Sequence, residues 1–232
     1  MGILRADRIT GLGGANAITG STFFGGGVSA ESGSASQNNL QLDISSDFNL
    51  GTNNFTIEAF IYLEALGQFN NILAVGTDST NGYRMDLGTG NNLRLVTKLG
   101  SDGWGVLMTG STTFIKDKWY HVAVVYDQSE LDCFYYVNGV ADGSDTSITG
   151  SVDDASDLYF GFREGGSSSH YYNGYICNVG FWTKALTQAE IKSIMNKNYA
   201  GLTDSEKTNL VSWWNLSADA NDSHGSNNGT LS

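Results

Sequence analysis

From Ser21 onward, apolar residues recur mostly with a period of two. In Phe55-Thr56-Ile57-Glu58-Ala59-Phe60-Ile61-Tyr62-Leu63, the residues Phe55, Ile57, Ala59, Ile61 and Leu63 share one face, and Phe60 and Tyr62 make the other face partly apolar. Such a pattern predicts a strand covered on both sides. Shorter alternations predict strands at 71–75, 83–87, 93–99, 105–108, 119–126, 131–137, 158–162, 175–182 and 210–216. Gly, Asn, Asp and Ser separate them. Asn138-Gly139 suits a two-residue hairpin turn with positive φ at both positions. One helix is predicted, with Thr187 as N-cap, Glu190 closing a capping box, and Leu186, Ile191, Ile194 and Met195 as its apolar stripe. Gly201 is its expected terminator. A second box, Thr203-Asp204-Ser205-Glu206, opens one short turn. Residues 1–24 are mostly small and polar without a period and read as an arm, leaving 25–232 as the domain. Many short strands with one short helix near the C-terminus predict an all-β fold, an antiparallel β-sandwich of jelly-roll type.

Composition narrows the function classes. The 232 residues include 30 glycines and no proline, so glycine does the turning and nothing interrupts a strand ladder. Twenty-four acidic against 12 basic side chains give a net charge of −12, which argues against a phosphate-backbone binder. No apolar run reaches the ~18 residues of a membrane span, and residues 1–8 lack the apolar stretch of a secretory signal. Neither a nucleic-acid nor a membrane partner is therefore expected. Cys133 and Cys177 lie in alternating stretches and read as buried small hydrophobes, with one bridge between neighbouring strands as the alternative.

The order of motifs adds a family. The 55–62 strand resembles the early strand of laminin-G-like, concanavalin A-like jelly rolls, and Trp119-Tyr120-His121-Val122-Ala123-Val124-Val125-Tyr126-Asp127 followed by Tyr135-Tyr136-Val137-Asn138-Gly139 resembles their centre. Tyr172-Asn173-Gly174-Tyr175-Ile176-Cys177-Asn178-Val179 and the segment from Ala185 to Ile191 resemble their last strand and closing helix. Leu210-Val211-Ser212-Trp213-Trp214-Asn215-Leu216 is similar to the way many members begin, yet here it comes last. Either the C-terminus supplies the opening strands of a rearranged domain, or a second repeat begins there. Burial of Trp213 and Trp214 favours the first. The leader, including Ile3, Leu4, Ile9 and Leu12, is similar to leaders of tailed-phage virion proteins. That resemblance implies a virion structural protein, located in the particle and acting by homo-oligomeric self-association or docking on other virion proteins, with Ile3, Leu4, Ile9 and Leu12 as assembly contacts. The alternative is a carbohydrate-binding adhesin for host-surface glycans.

Candidate chemistry is sparse. Some relatives on this fold are glycosidases, which would need two carboxyls about 5–5.5 Å apart on a strand. Glu130/Asp132 and Asp204/Glu206 come nearest and read better as turn and cap residues, so no enzyme and no catalytic residue is expected. His121 reads as a satisfied sheet histidine, and His170 and His224 as loop residues. Calcium is the one candidate cofactor, with Asp142/Asp145, Asp153/Asp154/Asp157 and Asp219/Asp222 as clusters that turn chemistry already explains. A glycan needs an aromatic platform beside polar groups. The loop residues offering one are Trp104, His170 with Tyr171, and Tyr83.

Overall fold

The computed structural model describes residues 40–43, 48–51, 53–76, 82–98, 104–146, 157–162, 170–216 and 219–231. Their strands are β1 (Leu40–Asp43), β2 (Phe55–Leu63), β3 (Asn70–Val75), β4 (Gly82–Leu87), β5 (Leu93–Lys98), β6 (Trp104–Thr109), β7 (Trp119–Asp127), β8 (Asp132–Val137), β9 (Val140–Thr146), β10 (Asp157–Phe160), β11 (Gly174–Trp182), β12 (Leu210–Trp214) and β13 (Thr230–Leu231). They form two antiparallel sheets, ordered β13-β1-β10-β3-β4-β5-β6 and β12-β11-β2-β7-β8-β9. The all-β sandwich is thus present, and the predicted strands recur within about two residues at their ends. β1, β9 and β13 were not legible. β9, Val-Ala-Asp-Gly-Ser-Asp-Thr, is a mostly exposed edge strand and has no buried face to impose alternation.

The main core lies between the sheets. Phe55, Ile57, Ala59, Ile61 and Leu63 all point into it, meeting Leu73, Val75, Met85, Leu87, Leu93 and Leu95 from the other sheet. The second face of β2 is also covered, as its pattern requires. Helix α1 (Gln188–Ile194) lays Ile191 and Ile194 over Ala123, Val125, Tyr136, Trp182 and Trp213 on the outer side of the six-stranded sheet. Asn138 and Gly139 adopt φ of 51° and 72°, the expected hairpin turn, and this turn accepts a 3.0 Å bond from Gln188 Nε2 through the Gly139 carbonyl.

Thr187 caps α1 in a full capping box with Glu190. The helix ends sooner than expected, at Met195, because Lys197 N–H already bonds the Ile194 carbonyl with the tighter spacing of a terminal turn. Gly201 instead ends a separate one-turn 3-10 helix, Tyr199–Gly201. The C-terminal segment is part of the sheets: β12 pairs with β11, and β13 with β1. Trp213 and Trp214 are both buried, with their indole N–H groups bonded to Asn215 and to the Asn227 carbonyl. Cys133 and Cys177 are unbonded, and burial pushes both thiols up to about 12.

Two outcomes test this architecture. Gly174 has φ +143°, and a Cβ there would stand 1.8 Å from the Tyr62 carbonyl oxygen. Gly174→Ala should therefore lose about 2–3 kcal/mol, read as a lower urea midpoint at unchanged slope. The second concerns Glu206. Burial alone would raise its pKa, but bonds from Lys197, Ser193 and Thr203 hold the carboxyl down at about 2, against 4.5 for a free glutamate. Since the folded value is the lower one, its stabilisation is present above pH ~4.5 and fades as pH falls toward ~2. Glu206→Gln should cost about 1–3 kcal/mol at pH 7, and the gap to the parent protein should close in melts run at successively lower pH.

Candidate functional site

Covering the outer side of one sheet leaves the outer side of the other as the place where side chains can meet a ligand. Strand register builds two rows there. Asn71, Asp86, Arg94 and Thr109 lie side by side across β3, β4, β5 and β6, and Tyr159, Ala74, Arg84 and Val96 form the adjacent row across β10, β3, β4 and β5. These residues alternate with the core-facing Tyr83, Met85, Leu87, Leu93 and Leu95. A bulge between Asn71 and Leu73 shifts the register of β3, bringing Asn71 onto the same row as Asp86.

Asp86 is the centre of the polar group and is 1% exposed. Arg94 donates to both of its oxygens, Nε to Oδ1 and Nη2 to Oδ2, each at 2.8 Å. Arg84 Nε adds a third bond to Oδ2 at 3.2 Å. The carboxylate thereby fixes the Arg94 plane in a two-point fork. Gly88 makes room for it, since a Cβ there would come within 2.9 Å of Arg94 Nε. The guanidinium carbon stands 5.0 Å from the Phe69 ring centroid, a cation–π distance. Phe69 also stacks on His170, with centroids 4.9 Å apart and planes within 1° of parallel. Asn71 Nδ2 donates to the His170 carbonyl at 2.6 Å, while its Oδ1 is buried and has no partner among the described residues. Beside this group, Tyr171 stacks on Phe162 at 6.0 Å, and Phe162 meets Tyr159 edge-on at 4.8 Å.

The expected site residues divide accordingly. His170 and Tyr171 fall in this patch. Tyr83 does not: pairing with Val75 turns it inward, where it is 1% exposed, packs on Phe55 and donates its hydroxyl to the Phe48 carbonyl. It is a core residue, and the glycan-platform reading of it is corrected. Trp104 opens β6 opposite Lys98, but its side chain lies outside the described residues. Ile3, Leu4, Ile9 and Leu12 also lie outside them, as do Asp153 and Asp154. Phe69, Asn71, Asp86 and Arg94 were missed. Their only sequence signal was charge at alternate strand positions, which reads as a solvated face.

Other candidates are engaged in structure. Asp142 accepts from Thr112 through Oδ1 and packs Oδ2 against Gly110, so its carboxylate faces protein although it borders a cavity of about 390 Å³ between β9, Ser111, Phe134 and Tyr136. Asp222 accepts backbone N–H groups of Trp213, His224 and Asn227. Among the described residues, no three His, Cys, Asp or Glu side chains converge as a metal site. Glu130 is an exposed turn residue and Glu206 caps its turn through Thr203. His121 bonds Glu58 at 2.9 Å with both side chains 2% exposed. His224 is exposed and meets the Tyr199 hydroxyl at 3.2 Å. The patch around Asp86 can grip ring faces and oxygen acceptors; its one carboxylate is spent on two arginines.

Comparison with solved structures shows the same fold. A proposed carbohydrate-binding protein from Bacteroides ovatus is similar at 21% identity and a TM-score of 0.63, covering 83% of this chain and 57% of the other, so this chain spans a little over half its length. A heptameric SAP-like pentraxin from Limulus polyphemus matches at 14% identity and a TM-score of 0.56, with 73% and 80% coverage. The CBM40 module of the Ruminococcus gnavus IT-sialidase, bound to α2,3-sialyllactose, matches at 9% identity and a TM-score of 0.53, with 63% and 84% coverage. No curated protein sequence matches. A family model does match residues 34–192, most of the chain, in the order of strands and closing helix described above. The chain belongs to the concanavalin A-like lectin/glucanases superfamily, as a domain of the Laminin_G_3 type.

Proposed function

We propose that this domain binds carbohydrate without catalysis, on the outer face of the seven-stranded sheet around Phe69, His170 and Arg94. The observation that carries this is the Arg94–Phe69–His170 stack, with Arg94 fixed by Asp86 and the His170 backbone fixed by Asn71. Sugars present C–H faces that pack on aromatic rings and hydroxyls that bond to forks of N–H donors, and this patch supplies both from rigid strands. Carbohydrate binding by the Bacteroides ovatus and Ruminococcus gnavus proteins supports the reading.

A structural role in a phage virion rests on the leader, which lies outside the described residues, so the glycan reading stands ahead of it. Self-association through Ile3, Leu4, Ile9 and Leu12 is compatible with glycan binding, as multivalency raises avidity.

A glycan array followed by calorimetry on the strongest hit tests the proposal. Phe69→Ala and His170→Ala should each weaken binding at least about tenfold, equivalent to about 1.4 kcal/mol, with the thermal melt retained. Silence across a diverse array, or full affinity in both variants, overturns it.

A further inference from the structure

The charge on this face is out of keeping with the rest of the chain. The protein carries −12, yet two guanidinium groups here surround a single carboxylate, leaving a local excess of one positive charge. Both arginines among the described residues sit at this spot, 11% and 14% exposed. Elsewhere the described lysines pair with carboxylates or rings: Lys116 with Asp117, Lys184 with Glu190, Lys197 with Glu206, Lys118 over Tyr120 and Lys207 over Tyr199.

An excess cation held in a poorly hydrated sheet face is costly unless an anion completes it. The structure shows where an anion would enter. Arg94 uses Nε and Nη2 on Asp86, and Nη1 is neither buried away from solvent nor bonded among the described residues. Its guanidinium is already immobilised over Phe69, so a second fork-shaped contact would order little that is not ordered already.

We infer that the glycan recognised on this face bears an anionic group, a carboxylate or a sulfate ester, received by the open edge of Arg94 with Arg84 supplying the accompanying charge. This inference rests on the carbohydrate-binding reading and specifies its ligand class.

Paired probes separate the two readings. Affinities are measured for sialyllactose against lactose, oligogalacturonate against its methyl ester, and dextran sulfate against dextran. The anionic member of at least one pair should bind about tenfold or more tightly, and the preferred pair identifies carboxylate or sulfate as the group. Arg94→Gln should reduce that preference to about twofold or less. If the variant does not fold, the parent protein still decides the matter. Raising salt from about 0.05 to about 0.5 M should weaken the anionic probe several-fold more than any neutral glycan found on the array. Equal binding of charged and neutral partners, or a preference that survives Arg94→Gln in a folded variant, overturns the inference while leaving glycan binding intact. Absence of binding to every glycan in the panel and the array overturns both.

Discussion

The contact between Gly180 and two tryptophans holds the layered arrangement together. A Cβ at 180 would come within 2.4 Å of Trp182 and 3.0 Å of Trp213, so the two indoles close over bare backbone. They meet edge-to-face, 6.0 Å apart at 89°, and Trp182 donates to the Glu206 carbonyl. One glycine thus lets β11, β12 and the turn capped by Thr203 pack together, with α1 completing the apolar layer. The outer side of the six-stranded sheet becomes an interior. Glu58 is enclosed there, its carboxyl pKa raised by burial despite the bond from His121.

With that side sealed, the two sheet faces solve opposite problems. The covered face is filled with Leu, Ile, Trp and Tyr and is stabilised by removing apolar area from water. The other keeps charges at positions where solvation is poor, and it is stable only because they are matched in space. Asp86 takes three charge-assisted bonds from two arginines, and Phe69 takes the flat side of Arg94. A buried cluster of this kind adds little net stability compared with hydrophobic residues, but it fixes side-chain planes tightly. Rigid orientation at the expense of stability is what a recognition surface needs.

Legibility in the sequence followed the range of the interactions. The alternation of β2, the Asn138-Gly139 turn and the Thr187 capping box are all local, and each was readable. Trp213 and Trp214 were readable as needing burial because size alone demands it. The binding patch was not, because it depends on which strands pair. Asn71 and Asp86 are joined only after the bulge in β3 shifts its register, and Phe69 and His170 are a hundred residues apart in the chain. Tyr83 was misread for a related reason. Asn81-Gly82 resembles a loop, and only the pairing of β3 with β4 turns the next residue into the core.

His170 and Tyr171 come from the segment between β10 and β11 rather than from a strand, so their precision must have another source. Five bonds provide it. Asn71 holds the His170 carbonyl, Tyr172 N–H donates to Gly161, and the Tyr172 hydroxyl donates to Tyr62. Asn173 N–H donates to Asn70 Oδ1, and its carbonyl accepts from Glu64. Four consecutive residues are thereby tied to β3, β2 and the chain leaving them, and Gly174 then enters β11 at its close approach to Tyr62. Backbone pinned this way pays its ordering entropy on folding rather than on binding. The rings of His170 and Tyr171 therefore stand beside Arg94 before any ligand arrives, although the chain reaches that place by a connection.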